Sequence, residues 1–296
     1  MDKIVFVVRG GTSHESEKSA QYGKKILSCL HELGLKAHDL YLHPNGIWTL
    51  DNSPINLEKL FADFQSRDQK ILIWNCLVGV DGEMGIVEAL SLKYNIKLLG
   101  HSFLSTKLAS DKKNFLKFAK THNFKTPYSH IIQKTNNLKQ EILKAFGTVG
   151  IPAIVKPVNG SGLANINVVN NFTELEGAVL RLLEQGENVL VEKLIKGVPV
   201  SVFVLEHENL FHTNIHIYDN AAEIGKQDLI NLRNEALYLH EVLSPGHHTE
   251  YDFIFSPKGS YLIEANTHPS LAHGYISDFF RDNIVSLRDY VEKKIG

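Results

Sequence analysis

Lys3-Ile4-Val5-Phe6-Val7-Val8-Arg9-Gly10-Gly11-Thr12-Ser13 opens the chain and decides its fold class. Residues 3–8 form an apolar, β-branched run without the alternation of a half-exposed strand. Such a run reads as a strand buried on both faces, the mark of a parallel sheet. Gly10-Gly11 turns the chain at once. Ile26, Leu27, Leu30 and Leu33 then recur at helical spacing until Gly34 ends the helix. Strand, glycine-rich turn and helix, in that order, open a doubly wound α/β unit.

The pattern continues outward from there. A second strand is expected over 36–41, a helix over 57–64 and a third strand over 71–76. A loop follows at Gly79-Val80-Asp81-Gly82-Glu83-Met84-Gly85, then a helix over 86–93 and a short strand over 96–99. These make one α/β domain with a parallel sheet, 1–104. A second block, 105–196, is α+β. It has a basic helix over 111–120, strands over 128–133, 151–157, 165–169 and 188–192, and helices over 138–146 and 173–184. The third block, 197–296, has strands over 200–205 and 210–217, a helix over 228–241, a hairpin of 250–256 with 259–265, and one terminal helix over 282–293.

Composition excludes several classes. The 296 residues carry 31 basic and 33 acidic side chains, a net charge of −2, so no basic excess marks a partner among nucleic acids or anionic membranes. Two cysteines, Cys29 and Cys76, build no disulfide framework and point to a reducing compartment. The first apolar run stops at Arg9, which is no signal-peptide pattern. The apolar stretch 71–80 is interrupted by Asn75 and Gly79, so it reads as a buried strand and not a membrane span. A cytoplasmic protein is therefore expected. His247-His248 has no spaced Cys or His partner and reads as a solvated loop.

Three residues carry the strongest chemical signal. Glu264 and Asn266 lie two apart on one expected strand and so share a face; Asp252 lies on the strand before. A hairpin about Pro257-Lys258-Gly259 would aim all three into one cleft, and hard oxygen ligands suit Mg²⁺ held between protein and phosphates. Glu264 sits between Leu262-Ile263 and Ala265, and a carboxylate in apolar company needs a partner. Lys156 ends an apolar strand and precedes the turn Asn159-Gly160-Ser161-Gly162, a setting in which backbone N–H groups cradle phosphate. The spacing is not that of a Walker A loop, and Gly10-Gly11 lacks the third glycine of a dinucleotide fingerprint.

The order of the short motifs is more specific than any one of them. Gly10-Gly11-Thr12-Ser13-His14-Glu15, Gly82-Glu83-Met84-Gly85, Asp111-Lys112, Ile154-Val155-Lys156-Pro157, Val189-Leu190-Val191-Glu192-Lys193 and Leu262-Ile263-Glu264-Ala265-Asn266-Thr267 follow one another along the chain. This series resembles the D-alanine–D-alanine ligases of the ATP-grasp superfamily, over nearly the whole chain. The resemblance implies an ATP-grasp fold with an N-terminal parallel-sheet (pre-ATP-grasp) domain, a central lid and a C-terminal ATP-grasp domain. It implies ATP, with Lys112, Lys156 and Ser161 toward the phosphates and Glu192, Lys193, Leu194 and Ile195 toward adenine at the hinge. It implies two Mg²⁺ ions, for which Mn²⁺ substitutes, on Asp252, Glu264 and Asn266. Glu15 matches the acid that receives the amino group of the first substrate, and Glu83 falls in the loop supporting that pocket. The implied partners are small-molecule carboxylate and amine substrates, and the implied assembly is a homodimer. The implied reaction joins the two substrates through an acyl phosphate and releases ADP and phosphate.

The departures concentrate on the acceptor side. Glu250 stands where the family carries an arginine two residues before the metal aspartate. Pro199 stands in the place of the ribose-holding acid, Val78 in that of a histidine, and Tyr275 where the family's serine would meet the second substrate. The loops at Asn159–Gly162 and about Tyr218-Asp219-Asn220-Ala221 are shortened. Tyr275 thus joins Glu15 and Lys156 as a catalytic candidate. Two accounts fit. One is an active ligase with a different substrate pair, which the retained metal residues favour. The other is a non-catalytic protein that binds nucleotide or a partner.

Overall fold

The computed structural model describes residues 3–66, 69–158, 166–219, 224–243, 246–282 and 285–296. The first part runs β1 (Lys3–Gly10), α1 (Ser16–Glu32), β2 (Lys36–Leu42), β3 (Trp48–Leu50), β4 (Ser53–Ile55), α2 (Leu57–Gln65), β5 (Lys70–Asn75), α3 (Val80–Glu83), α4 (Ile86–Lys93) and β6 (Lys97–Leu99). Its strand order is β4-β3-β2-β1-β5-β6. β1 lies between β2 and β5, parallel to both. Ile4, Phe6 and Val8 pack on one side with Leu57, Phe61 and Phe64 of α2; Val5 and Val7 pack on the other with Tyr22, Ile26 and Leu30 of α1. That two-sided burial is why the run shows no alternation.

Two details differ from expectation. The sheet is not wholly parallel, because β3 and β4 add an antiparallel ribbon at its edge. Asp51 and Asn52, at φ 46° and 71°, make its two-residue turn, a turn type that favours Asp, Asn and Gly. The expected loop at 79–85 contains the single helical turn α3.

The middle part runs α5 (Phe103–Ser110), α6 (Lys112–Thr121), β7 (Ser129–Ile132), α7 (Leu138–Val149), β8 (Ala153–Pro157), β9 (Asn167–Val169), α8 (Phe172–Glu184) and β10 (Val189–Lys193). Its antiparallel sheet has the order β7-β10-β8-β9, with α7 and α8 packed on one face. α5 was not expected. Asp111 separates it from α6: its backbone leaves the helical region at ψ 93°, and its carboxylate caps α6 by accepting from Asn114 N at 3.0 Å.

The last part runs β11 (Val198–His207), β12 (Leu210–Ile217), α9 (Lys226–Leu243), β13 (His248–Ser256), β14 (Gly259–Asn266), α10 (Gly274–Asp282) and α11 (Leu287–Ile295). The expected hairpin is present as β13 and β14, in an antiparallel sheet of order β12-β11-β13-β14. The single terminal helix expected over 282–293 is instead α10 and α11. Ser286 starts the second with a capping box, accepting from Asp289 N at 3.1 Å.

β11 joins the first and third sheets. Val200, Val202 and Val204 face α9, whereas Phe203 and Leu205 face the other way. They enter one core with Val5, Val7 and Trp74 of the first sheet and Phe279, Phe280 and Tyr290 of the terminal helices. The same seam buries histidines. His248 lies in β13, buried, with Nδ1 3.1 Å from the Tyr290 hydroxyl, and the His101 ring donates to the His248 carbonyl. The solvated-loop reading is therefore wrong for His248, whereas His247 lies half-buried in the bend before β13. Burial holds His101 and His248 well below the usual imidazole range and His247 down to about 3.

Phe203 is wholly buried, and Phe203→Ala is expected to cost about 3–5 kcal/mol in denaturant unfolding. Imidazoles kept neutral by burial bind fewer protons folded than unfolded. The stability they confer is full above the unfolded pKa of about 6.5 and falls as pH drops below it. Thermal scans from about pH 7 to about pH 5 should show a falling Tm, with a smaller fall in His101→Asn.

Candidate functional site

The third sheet becomes polar where β11 leaves the shared core. Strand pairing sets His216, Ser201, Asp252 and Glu264 in one cross-strand row, and Asn214, Phe203, Glu250 and Asn266 in the next. A β-bulge between these rows and the hairpin tip makes this possible. Asp252 stands opposite Glu264 but Phe253 stands opposite Leu262, so Ile263 is an extra residue. Leu262 thereby enters the core under α9 while Glu264 keeps the cleft face. The structure thus brings Asp252, Glu264 and Asn266 together.

Their surroundings are crowded with acid. Ser201 Oγ donates to Asp252 Oδ1 and lies 3.1 Å from the Tyr218 hydroxyl. Tyr275 donates its hydroxyl to Glu250 Oε1 at 2.8 Å, and Asn266 Nδ2 donates to Glu250 Oε2 at 3.4 Å. Burial, then the Glu250 and Glu264 charges, push the Asp252 carboxyl well above the usual range. Glu250 is also raised, by burial against its two hydrogen bonds. The Tyr275 phenol is raised by burial and by Glu250. Among the described residues, no group of three or more His, Cys, Asp or Glu side chains is arranged to hold a metal ion; the candidate set here is two carboxylates and an amide.

The first part of the chain supplies the opposite wall. Gly10 and Gly11 turn at φ 90° and 137°, and a Cβ on Gly11 would lie 2.6 Å from Asp81 Oδ2. Asp81 is buried and holds the turn, accepting from Thr12 N at 3.0 Å, Thr12 Oγ1 at 2.7 Å and Ser13 N at 2.9 Å. Burial alone would raise its carboxyl; these hydrogen bonds outweigh it and hold the pKa below the usual range. Glu15 sits at the N-cap of α1, half-buried, 3.5 Å from Lys18. Glu83 is raised by burial, opposed by the Lys112 charge and reinforced by Glu264 and Glu15, so each of those three groups stands within electrostatic reach of Glu83.

The middle sheet places Lys156 and Glu192 diagonally across β8 and β10, with Nζ 2.5 Å from Oε2 and both side chains buried. Lys193 turns its ammonium to the Ile151 carbonyl at 2.9 Å, and Leu194 N donates to the Pro152 carbonyl at 3.2 Å. Half-buried Leu194 and Ile195 lead into β11. Ser161 lies outside the described residues, as do Asn220 and Ala221.

Sequence reasoning missed several groups. Asp81 is one. Glu88 and His268 are another pair, buried with Nε2 2.9 Å from Oε1, Asn75 Nδ2 donating to the same oxygen at 2.8 Å. His268 N also donates to Asn266 Oδ1 at 3.0 Å, which orients that amide. The one available signal was a polar residue inside an apolar run: Asn75 after Ile71–Trp74, and Ser201 within β11.

Comparison with known proteins completes the description. Residues 118–220 match the family model described as D-ala D-ala ligase C-terminus. A D-alanine–D-alanine ligase of Aquifex aeolicus is 27% identical over 284 residues, covering 90% of each chain. The VanG D-Ala:D-Ser ligase of Enterococcus faecalis superposes with a TM-score of 0.83 at 20% identity, over 100% of this chain and 99% of that one. The chain is similar to D-alanine–D-alanine ligases over nearly its whole length. Its fold is the ATP-grasp fold. A Bacillus anthracis D-alanine–D-alanine ligase complexed with ATP also matches, at a TM-score of 0.77 and 20% identity, over 99% and 96% of the two chains. This chain keeps that fold with Glu250 and Tyr275 in its cleft.

Asp81→Ala removes the acceptor of three hydrogen bonds. A loss of about 1–3 kcal/mol is expected. Because the folded pKa is lowered, Asp81 stabilises above its unfolded pKa of about 3.9 and the effect fades as pH falls further. Unfolding of both proteins at neutral and acid pH checks this.

Proposed function

We propose that this protein is an ATP-dependent carboxylate–amine ligase acting on small molecules in the cytoplasm. The observation that carries the reading is the convergence of two walls. Asp252, Glu264 and Asn266 share one sheet face, and Glu83 of the opposite wall stands within electrostatic reach of both Glu264 and Lys112. Matches over nine-tenths or more of the chain to a D-alanine–D-alanine ligase and to a D-Ala:D-Ser ligase support it.

The residues suit Mg²⁺. Two carboxylates and an amide stand side by side, and the crowding that raises Asp252 is what a divalent cation relieves. Asp252, Glu264 and Asn266 would hold the metal, which supplies charge neutralisation at the triphosphate. Lys112 and Lys156 are assigned to the phosphates, and the segment from Glu192 to Ile195 to adenine. Glu15, with Glu83 behind it, receives the ammonium of the first substrate. That places its carboxylate to attack the γ-phosphorus, with ADP leaving. The second substrate's nitrogen then attacks the acyl carbon, phosphate leaves, and the nitrogen's proton leaves with it. Burial of the walls excludes the water that would hydrolyse the acyl phosphate. The protein contributes positioning and charge, and no covalent nucleophile is required.

Glu250 and Pro199 favour the second reading, a nucleotide-binding protein without turnover. Phosphate release from ATP and Mg²⁺ against D- and L-amino acids, singly and in pairs, separates the two. Release with a carboxylate supports the ligase; ATP-induced thermal stabilisation with no release supports the binder. Glu264→Gln is expected to lower turnover about a hundredfold with little change in Tm. Full activity in that variant overturns the metal assignment.

A further inference from the structure

Glu250 belongs neither to the candidate metal set nor to the nucleotide residues, and its neighbours describe a ligand. Tyr275 covers it from α10. The phenol donates to the carboxylate at 2.8 Å, and the Tyr275 carbonyl accepts from Asn214 Nδ2 at 3.2 Å. The Tyr275 ring stacks on His216, with centroids 4.7 Å apart and planes 13° apart. Tyr218 meets the same imidazole edge-on at 4.5 Å. The wall is thus aromatic rings around a carboxylate fixed by two neutral donors, in the row beside Asp252 and Glu264.

Among the described residues, none of Glu250, Asp252 and Glu264 forms an ion pair with a lysine or arginine. Both Glu250 oxygens retain lone pairs after their single hydrogen bonds. With Asp252 and Glu264 taken up by the metal, a substrate carboxylate placed here still meets the like charge of Glu250, which Lys18 offsets only in part. A cation meets attraction from the carboxylate and from the aromatic faces.

We infer that Glu250, Tyr275 and His216 select an acceptor amine with a second, cationic nitrogen and no carboxylate at this wall: a diamine-type substrate. This rests on the ligase reading above. One nitrogen attacks the acyl phosphate and loses its proton with the departing phosphate; the other stays protonated against Glu250.

Hydroxylamine, ATP, Mg²⁺ and an amino-acid panel test the ligase reading first, since an acyl phosphate is trapped as hydroxamate. If no carboxylate gives hydroxamate, the ligase reading fails and this inference falls with it. Given a hydroxamate-forming carboxylate, ethylenediamine should exceed ethylamine and D-alanine as acceptor about tenfold or more in kcat/KM. Equal values, or preference for D-alanine, overturn the inference and leave the ligase reading standing. Glu250→Gln should shrink the advantage of ethylenediamine over ethylamine about tenfold. A parallel fall for all acceptors instead assigns Glu250 to the metal edge and overturns the inference. Should that variant not fold, the acceptor ratio of the unaltered protein decides, with Tyr275→Phe expected to narrow it.

Discussion

The third sheet has to serve a hydrophobic core and an acidic cleft from the same strands, and the extra residue Ile263 lets it do so. Without the bulge, strict alternation would put Leu262 and Glu264 on one face. One of them would then be misplaced, a leucine in the cleft or a carboxylate under α9. The bulge sends Leu262 to the core and Glu264 to the cleft, opposite Asp252. β11 divides its faces by position along the strand instead. Phe203 and Leu205 fill the core shared with the first sheet, and Ser201, one pleat further along the same face, begins the polar row.

That arrangement sets the electrostatics. Glu250, Asp252 and Glu264 stand in adjacent register positions, partly withdrawn from water, where like charges repel most. The neutral donors Ser201, Tyr275 and Asn266 reduce the cost without removing it. Such a site favours the approach of positive charge. The opposite wall is built by another route. Gly10 and Gly11 adopt backbone angles closed to other residues, so Asp81 can approach and tie the turn that starts α1 to the segment bearing Glu83.

Legibility in the sequence followed the range of the interaction. The buried β1, the glycine turn, the hairpin and the Glu264–Asn266 pair are local patterns, and each is in place. What failed was set by long-range or backbone effects. His248 looks like loop from its neighbours and is buried only because Tyr290 and His101 close over it. Asp111 looks like a first-turn acid, yet it also ends α5 through a single dihedral. Asp81 gains its role from partners some seventy residues earlier. The Asp51-Asn52 turn and the Ser286–Asp289 capping box were also missed, although both rest on local chemistry.

Lys156 shows how far a site residue can be committed before any ligand arrives. Its ammonium is buried 2.5 Å from Glu192, and separating such a pair in the interior leaves two uncompensated charges. A phosphate that recruits Lys156 therefore has to approach with Glu192 still in place, sharing the ammonium's three donors and not displacing the carboxylate. Glu192 in turn accepts from Lys156 and keeps its other lone pairs for a neutral donor such as an exocyclic amine. The proposed nucleotide reading therefore requires that the pair stay intact, with donors left on Lys156 for phosphate and lone pairs left on Glu192 for an amine.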